Sequence, residues 1–547
     1  MQQQQQTPYI PPAFAIHTIP LDPVPPLHAG RKAACSLRIV IVGCGLGGLA
    51  AAHTLAHAGH RITLLESALA LGDVGAGIQV SPNATRLLLR WGLGSALSAT
   101  AVRPEAIAFR RYDTGEKVGF TKWGDDMDKS HGAPYFHVHR ADYHAMLLRL
   151  ALAASGVQLR LGATVVGVEP DPATKGGPHV VLASGETIRG DLIVGADGVK
   201  SMLQAVVTGK SSAPRATGDA AYRAIIPTDV MLKDPELRPF VENPEMTAWM
   251  APGRHLMAYN IRGKKEYNLV LLHPDDGSVE SWTAAGSADK MRKEFADFEP
   301  RVQKLLSYVQ STLKWRLMDR QALDTWIHPK GRVVLLGDAC HPMLPYRAQG
   351  AAMAIEDAGV LGGLLSHLSS IEQLPVLLKA YQDLRCVDDA ADQLLRSGLR
   401  KLVEMYLTCA SAIAEVPATT SFRVFERHPY PYHLSSLFQA NVLTVIELVR
   451  LHRTSDAQEQ SCLNRIIFHL PDGPEQRARD TAMRRAMEAE SATAAESMAG
   501  NPNQWADPQK NEKQFSYDAD GQVQEWWENT GRTLLEEAKR DKAKAKL

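Results

Sequence analysis

The sequence predicts an α/β chain in which a helix-covered parallel sheet is interrupted by an antiparallel sheet and followed by a helical C-terminal region. Three observations carry this. First, "LRIVIV" (Leu37 to Val42), "GCGLGG", an Ala/Leu-rich helix to Ala58 and "RITLLE" (Arg61 to Glu66) follow one another. Strand, helix and strand within about 30 residues require parallel pairing through a right-handed crossover. Second, between about 205 and 316 the texture changes to alternating stretches such as "HLMAYNI" and "EYNLVLLH", with Trp249, Trp282 and Trp315 among them. Period-two alternation is the mark of half-buried antiparallel strands. Third, beyond Leu377 the chain reads as helical and ends in "EEAKRDKAKAKL".

Each element has a local reason. Leu37 to Val42 is apolar throughout, as expected of a parallel strand buried on both faces. Gly59 closes the first helix, because glycine accepts the left-handed conformation at a helix end. A second helix starts at Pro82 with Ser81 as its cap. Another follows "HVHRAD" and presents Leu147, Leu148, Leu150 and Leu152. The resulting plan has a mostly disordered Gln/Pro-rich leader over 1–36 and a first parallel-sheet segment over 37–204. The antiparallel sheet takes 205–325, the parallel sheet resumes over 326–384, and helices with a charged tail take 385–547. The tail beyond Pro471 has little apolar content and reads as a solvated helix or loose tail.

Composition narrows the function classes. The 547 residues are 45% hydrophobic and 22% charged, with a formal net charge of +0, so no global field recruits nucleic acid. The six cysteines, Cys35, Cys44, Cys340, Cys386, Cys409 and Cys462, lie far apart without metal-ligand spacing. No metal is expected, and scattered thiols fit the reducing cytoplasm. No run reaches the roughly 18 apolar residues of a membrane span. "SSLFQANVLTVIELV" (Ser435 to Val449) comes nearest, but it contains Gln439, Asn441 and Glu447 and reads as a core or interface helix. The N-terminus lacks the basic and apolar regions of a secretory signal.

The motifs carry the chemistry. "GCGLGG" sets Gly43, Gly45 and Gly48 in the GxGxxG pattern between a strand and a helix. These permit a tight turn, backbone approach to a pyrophosphate, and close helix–strand packing. The helix start offers free N–H groups and partial positive charge to phosphates. Glu66, at the end of the next strand, can accept both ribose hydroxyls, and its charge disfavours a 2′-phosphate on the resident dinucleotide. A second strand end, "DLIVGADGVKS", carries Asp197; a third, "VVLLGDA", carries Asp338. A carboxylate at this third strand end suits the ribityl hydroxyls of a flavin, which NAD lacks, so the dinucleotide is read as FAD in a Rossmann-like FAD-binding domain.

"GCGLGG…E", "GADGVKS" and "GDACHPMLPYRAQGAAMAIEDA", together with "GAGIQVSPNA", resemble the single-component FAD-dependent aromatic hydroxylases. The resemblance is to their salicylate-hydroxylase-like branch of fungal type and covers about 37–384. It implies a para-hydroxybenzoate hydroxylase-like fold whose inserted sheet binds substrate. It also implies a reaction in which NAD(P)H and O₂ hydroxylate a small phenolic or other aromatic molecule through a C4a-hydroperoxyflavin, in secondary metabolism or aromatic catabolism. By the same resemblance, Ala76 and Gly77 lie near the cofactor and Arg140 reaches its phosphate or ribityl region. Asp197 serves FAD and the visiting nicotinamide, Asp338 the ribityl chain, and Gly350 and Ala351 the pyrimidine edge of the flavin. That last role is physically apt, because a helix start stabilises the negative charge of reduced flavin. Pro342 and Pro345 stiffen the adjoining loop, and His341 is read as a packing or loop residue.

For substrate, "AYRAIIP" offers Tyr222 and Arg223 and "PGRHLMAYNIRG" offers Arg254, His255 and Tyr259; of these the resemblance points to Arg223 and Tyr259 as the catalytic pair. A cation lowers a phenol's pKa and holds the phenolate; the plain alternative is a surface arginine and an ordinary strand tyrosine. Two departures from the family pattern stand out: Gln204 where an arginine is common, and Asn260 where a proline often follows the tyrosine. Competing functions are epoxidation of an isoprenoid double bond and a non-catalytic flavin-fold escort protein. A halogenase is disfavoured because no WxWxIP motif is present. NADH or NADPH, decarboxylation, and a homodimer built through the C-terminal helices stay open.

Overall fold

The computed structural model describes residues 16–72, 75–171, 173, 177–278, 284–385, 453–491 and 501–545. The chain forms two compact units, Met1–Leu384 with Ala457–Leu547, and Arg385–Asp456. The sheets and the site belong to the first. The segment Ser435 to Val449 lies outside the described residues.

The chain enters through β1 (Arg38–Val42), helix Leu46–His57 and β2 (Arg61–Leu65), with β1 and β2 parallel. β3 (Gly77–Val80), β4 (Ala106–Arg111), β5 (Lys117–Lys122) and β6 (Phe136–His139) follow; β6 leads into helix Arg140–Ala153. β7 (Val157–Arg160) returns to lie beside β2. β8 (Val165–Glu169), β9 (His179–Leu182) and β10 (Thr187–Arg189) make an antiparallel meander, and β11 (Leu192–Gly195) pairs with the far side of β1. Next come β12 (Arg215–Pro227), β13 (Glu245–Ala251), β14 (Arg254–Ile261), β15 (Glu266–Pro274), β16 (Ala284–Gly286) and β17 (Thr312–Asp319). β18 (Val333–Leu335) completes the parallel sheet, in the order β18-β11-β1-β2-β7.

The second large sheet runs β16-β17-β12-β15-β14-β13-β4-β5. It is therefore wider than the stretch 205–325, because β4 and β5 join it, β4 parallel to β13. Alternation along its strands sorts side chains onto two faces. Ala221, Met257, Tyr259, Leu272 and Trp315 share one apolar cluster. Tyr222, Trp249, Leu256, Ala258 and Leu271 share the other, which Met291, Phe295, Val302 and Leu305 of the helical segment after β16 cover.

Three expectations change. The leader over 1–36 is not loose where it is described. Ile16 is buried, the Asp22 carboxylate accepts from Ser95 N at 2.9 Å, and Ala33 N and Cys35 N donate to Ala58 O and Leu368 O. The segment is held largely by backbone hydrogen bonds, which composition does not reveal. The tail beyond Pro471 is not merely solvated: Met483, Trp505 and Phe515 enter the same cluster as Tyr259. A few apolar residues suffice because each sits at a contact. Ser81 stands at the N-cap as expected, but its side chain makes no cap bond; its hydroxyl donates to Asn83 Oδ1 (2.7 Å) and accepts from Gln349 Nε2 (3.0 Å).

Candidate active site

The parallel sheet brings three carboxyl-terminal strand ends side by side. β18, β11 and β1 are neighbours, so the turns carrying Asp338, Asp197 and the glycine loop open at one edge, where open α/β sheets bind ligands. The three glycines act for different reasons. Gly43 has φ +107°, and a Cβ there would stand 2.3 Å from Ala196 O. A Cβ on Gly48 would stand 2.0 Å from Gly43 O. Gly45 has nothing within 4 Å of that position, leaving backbone open to an approaching group. Glu66 is fixed beside the turn by Cys44 N (3.1 Å) and Ala68 N (2.9 Å).

A cavity of ≈ 670 Å³ starts at this edge and runs across to the Tyr259 face of the antiparallel sheet. Gly45, Gly77, Arg140, Asp197, Asp338, Gly350, Ala351, Arg223 and Tyr259 all line it. Gly43, Gly48, Glu66 and Ala76 do not; they shape the turns behind it, Ala76 by accepting from Arg140 N at 2.9 Å. Gly77 is a contact glycine: its N donates to Asn268 Oδ1 (2.7 Å), and a Cβ would lie 2.6 Å from the Tyr259 ring.

Asp338 is exposed and lines the cavity, and the protein packed around it pushes its pKa up, while His341 and Arg140 pull it down. Burial lowers the pKa of Arg140, with Asp338 opposing. The Asp197 carboxylate is engaged by its own turn, accepting from Ser201 Oγ (2.6 Å), Met202 N (2.8 Å) and Leu203 N (3.2 Å). Its turn, rather than a free carboxylate, faces the cavity. Helix Gly350–Leu365 begins at the cavity; its Met353 N already bonds Gln349 O (2.8 Å), leaving the preceding amides at the mouth. "VSPNA" has a clear task here. Asn83 Nδ2 donates to Glu356 Oε1 (2.6 Å) and Gln349 Oε1 (3.2 Å), pinning that helix start from below. His341 Nε2 and Gly337 N both meet Asp357 Oδ2, at 2.6 and 2.9 Å, which holds the loop and agrees with a structural role for His341.

On the sheet side, the Arg223 guanidinium lies 4.0 Å from the centroid of the Trp315 ring. Its buried Nε has no hydrogen-bond partner among the described residues. Burial pushes its pKa down to about 10, with Tyr259 opposing. Tyr259 is pushed up to about 12 by burial, with Arg223 and Gln79 opposing, and its ring packs 4.3 Å from that of His137. A cation with no carboxylate beside it among the described residues favours an anionic guest.

The two departures are accommodated. Gln204 Oε1 accepts from Arg320, whose Nε donates to Val199 O at 2.5 Å, so an arginine reaches the Asp-Gly turn from just after β17 instead. Asn260 points to the opposite face and donates to Phe240 O (2.7 Å), leaving β14 in register. Sequence reasoning named His255 as a candidate without choosing it and missed Tyr346, Phe468 and Trp505; all four line the cavity. His255 was legible, since 255, 257 and 259 share one face of a strand. Phe468 and Trp505 come from the C-terminal segment and carry no local signal.

A glycine cradle at a helix start, a carboxylate beside it and a helix start facing the same cavity fit FAD. Joined to an antiparallel sheet, they define the class of single-component flavoprotein hydroxylases. The chain belongs to the family described as FAD binding domain, whose model matches residues 36–395. The FAD-dependent monooxygenase OpS4 of Beauveria bassiana is 40% identical over 355 residues, 64% of this chain and 82% of that protein. The 6-hydroxynicotinate 3-monooxygenase of Bordetella bronchiseptica is 34% identical over 351 residues, 64% and 87% of the two chains. A solved salicylate hydroxylase substrate complex matches with TM-score 0.61 at 22% identity, covering 89% of this chain and 97% of that one, a likeness of fold. The protein is an FAD-dependent monooxygenase of the aromatic hydroxylase type, with NAD(P)H and O₂ as co-substrates. Among the described residues no helix is long and apolar enough to cross a membrane.

Proposed function

We propose that the substrate is a small ring-hydroxylated aromatic molecule bound as its phenolate. The observation that carries this reading is Arg223: a half-buried arginine with its guanidinium over Trp315, beside Tyr259, whose buried Nε has no partner among the described residues. A phenolate would complete that site by a charge-assisted hydrogen bond and shift its own pKa downward. Tyr259, held well above neutrality, serves as a hydrogen-bond donor to the ring oxygen rather than as a base. Epoxidation of an isoprenoid would leave the arginine without work. Names among the relatives agree with the reading: 6-hydroxynicotinate and 3-amino-4-hydroxybenzoate both carry a ring hydroxyl.

Bound FAD supplies the oxygen-transfer chemistry; the chain's residues orient and tune it. The glycine turn and Glu66 hold the adenosine diphosphate half. Asp338 and Arg140 flank the ribityl chain, and the Gly350 and Ala351 amides meet the electron-rich edge of the ring. In this division of labour 37–204 and 326–384 serve the cofactor, and 205–325 serves the substrate. The scattered cysteines favour the cytoplasm, and the C-terminal helices offer a surface for a homodimer. The test is a panel of phenols scored for NAD(P)H oxidation and for a product heavier by one oxygen atom. Stimulated oxidation with matching product supports the reading; turnover confined to substrates without a ring hydroxyl contradicts it.

A further inference from the structure

The phenol reading places one polar pole in a cavity wall that is otherwise largely apolar, and the strand registers show how far that wall runs. Arg223 on β12 stands opposite Val270, and Val270 opposite Met257. On its other side Arg223 stands opposite Leu313. Tyr259 and His255 lie two residues to either side of Met257 on β14, and all three line the cavity. Four residues of strand therefore separate Tyr259 from His255, about 13 Å at the usual rise. Leu272, opposite His255, continues the floor. Among the described residues, Arg223 is the one charged side chain that the antiparallel sheet sends into the cavity. The far end holds two polar side chains, and both are engaged. His255, which burial holds well below the usual histidine range, sets Nδ1 2.8 Å from Nε2 of His469. The Tyr346 hydroxyl donates to Asp219, which is paired with Arg465 at 2.6 Å.

Phe468 bounds that far end, its ring 5.2 Å from the ring of His255. It is fixed from within one helical turn: Arg465 pairs with Asp219, and Asn464 Nδ2 donates to Tyr346 O at 3.0 Å. Phe468 lies beyond the residues 36–395 that match the family model, so this boundary is supplied by the C-terminal segment.

We infer that the substrate is an amphiphilic phenol, with its hydroxyl at Arg223 and Tyr259 and a hydrocarbon substituent laid over Val270, Met257 and Leu272 as far as Phe468, which sets the length of that substituent. A bare one-ring phenol would fill the Arg223 pole and leave the rest of the floor in water. A carboxylate set far from the hydroxyl would lose water and meet no unpaired cation among the described residues at that end, a net cost. A hydrocarbon arm gains instead, about fourfold in affinity for each methylene removed from water. The inference rests on the phenol reading and narrows it to one class of phenol.

The experiment separates the two. FAD-loaded oxidised protein is titrated with phenol, its 3- and 4-ethyl, -butyl and -hexyl derivatives, 4-hydroxybenzoate and butylbenzene, and binding is read from the change in flavin absorbance. In one of the two alkyl series affinity should rise about fourfold per methylene and then level off. In the same series kcat/KM, scored by product mass, should follow the same order, and 4-hydroxybenzoate should bind more weakly than phenol. Phe468→Leu should move the levelling point to a longer chain and Phe468→Trp to a shorter one. Leu272→Ala serves as a further variant should Phe468 prove necessary for FAD retention; its gain per methylene should shrink at least twofold. The wild-type series reads the floor without any variant. Affinity that is flat or falling with chain length in both series overturns the inference, while binding of phenol itself leaves the phenol reading standing. A levelling point unmoved in both FAD-loaded Phe468 variants, or an unchanged series in Leu272→Ala, also overturns it. Butylbenzene bound as tightly as the butylphenols, or no phenol bound at all, sinks the phenol reading and the inference with it.

Discussion

The two ends of the cavity are built on opposite principles. The cofactor end is made of backbone: three turns at neighbouring parallel strand ends, with glycines where another backbone comes within 2.0–2.3 Å of a would-be side chain. The end proposed for the substrate is made of side chains. One face of β14 and β12 sets Arg223, Tyr259 and His255 in three neighbouring cross-strand rows, and two walls, Phe468 and Trp505, arrive from the C-terminal segment. Backbone cradles tolerate little change and specify a cofactor common to many enzymes. Side-chain rows can be altered singly, and they specify the guest.

The comparison yields predictions of graded size. The largest effect belongs to Gly48→Val. Its Cβ would overlap Gly43 O, and overpacking against rigid backbone costs about 3 kcal/mol or more. The purified protein should be colourless with a lowered melting temperature, and a yellow, wild-type-like variant would break the backbone half of the comparison. Next is Arg223→Ala: turnover of the phenol found in the panel should fall on the order of 100-fold, with FAD content unchanged, as read by product mass against flavin absorbance. Loss of FAD in that variant would mean the two ends are not separable. Asp338→Ala should weaken FAD by roughly tenfold or more, the cost of one hydrogen bond to a charged group, measured by fluorescence titration, while Asp338→Asn should recover part of the loss.

A smaller effect touches both ends at once. His53 and His60, around the parallel sheet, are pushed down to about 3 and about 4 by burial, and His137, beside Tyr259, to about 3. Each binds a proton more readily unfolded than folded, so the stability they contribute is complete above the usual histidine range and declines as pH falls from there toward the folded values. The melting temperature should be level above about pH 7 and fall below about pH 6. His53→Gln should flatten that fall, and an unchanged slope would remove the histidines from the account.

The same contrast explains what the sequence allowed. Gly43, Gly45, Gly48, Glu66 and Asp338 were legible because backbone turns are local and their residue demands sit within a few positions. Asp197 was legible as a position but not as a carboxylate engaged by Ser201 and the next helix, since that depends on how its turn closes. Arg223 and Tyr259 required a family resemblance, because nothing local distinguishes a functional strand arginine from a surface one. Phe468 and Trp505 were beyond reach: they meet the cavity through contacts spanning hundreds of residues. The leader and tail were misjudged for a related reason, since composition counts apolar residues but not where they dock.

The most direct test of the central claim is a crystal structure of the protein with FAD and a turned-over phenol. The account predicts the isoalloxazine edge at the Gly350 and Ala351 amides, the ribityl chain at Asp338, and the phenol oxygen within hydrogen-bond reach of Arg223 in the same cavity. A flavin ring seated away from the turns after β1, β11 and β18, or a phenol bound out of reach of Arg223, would contradict it.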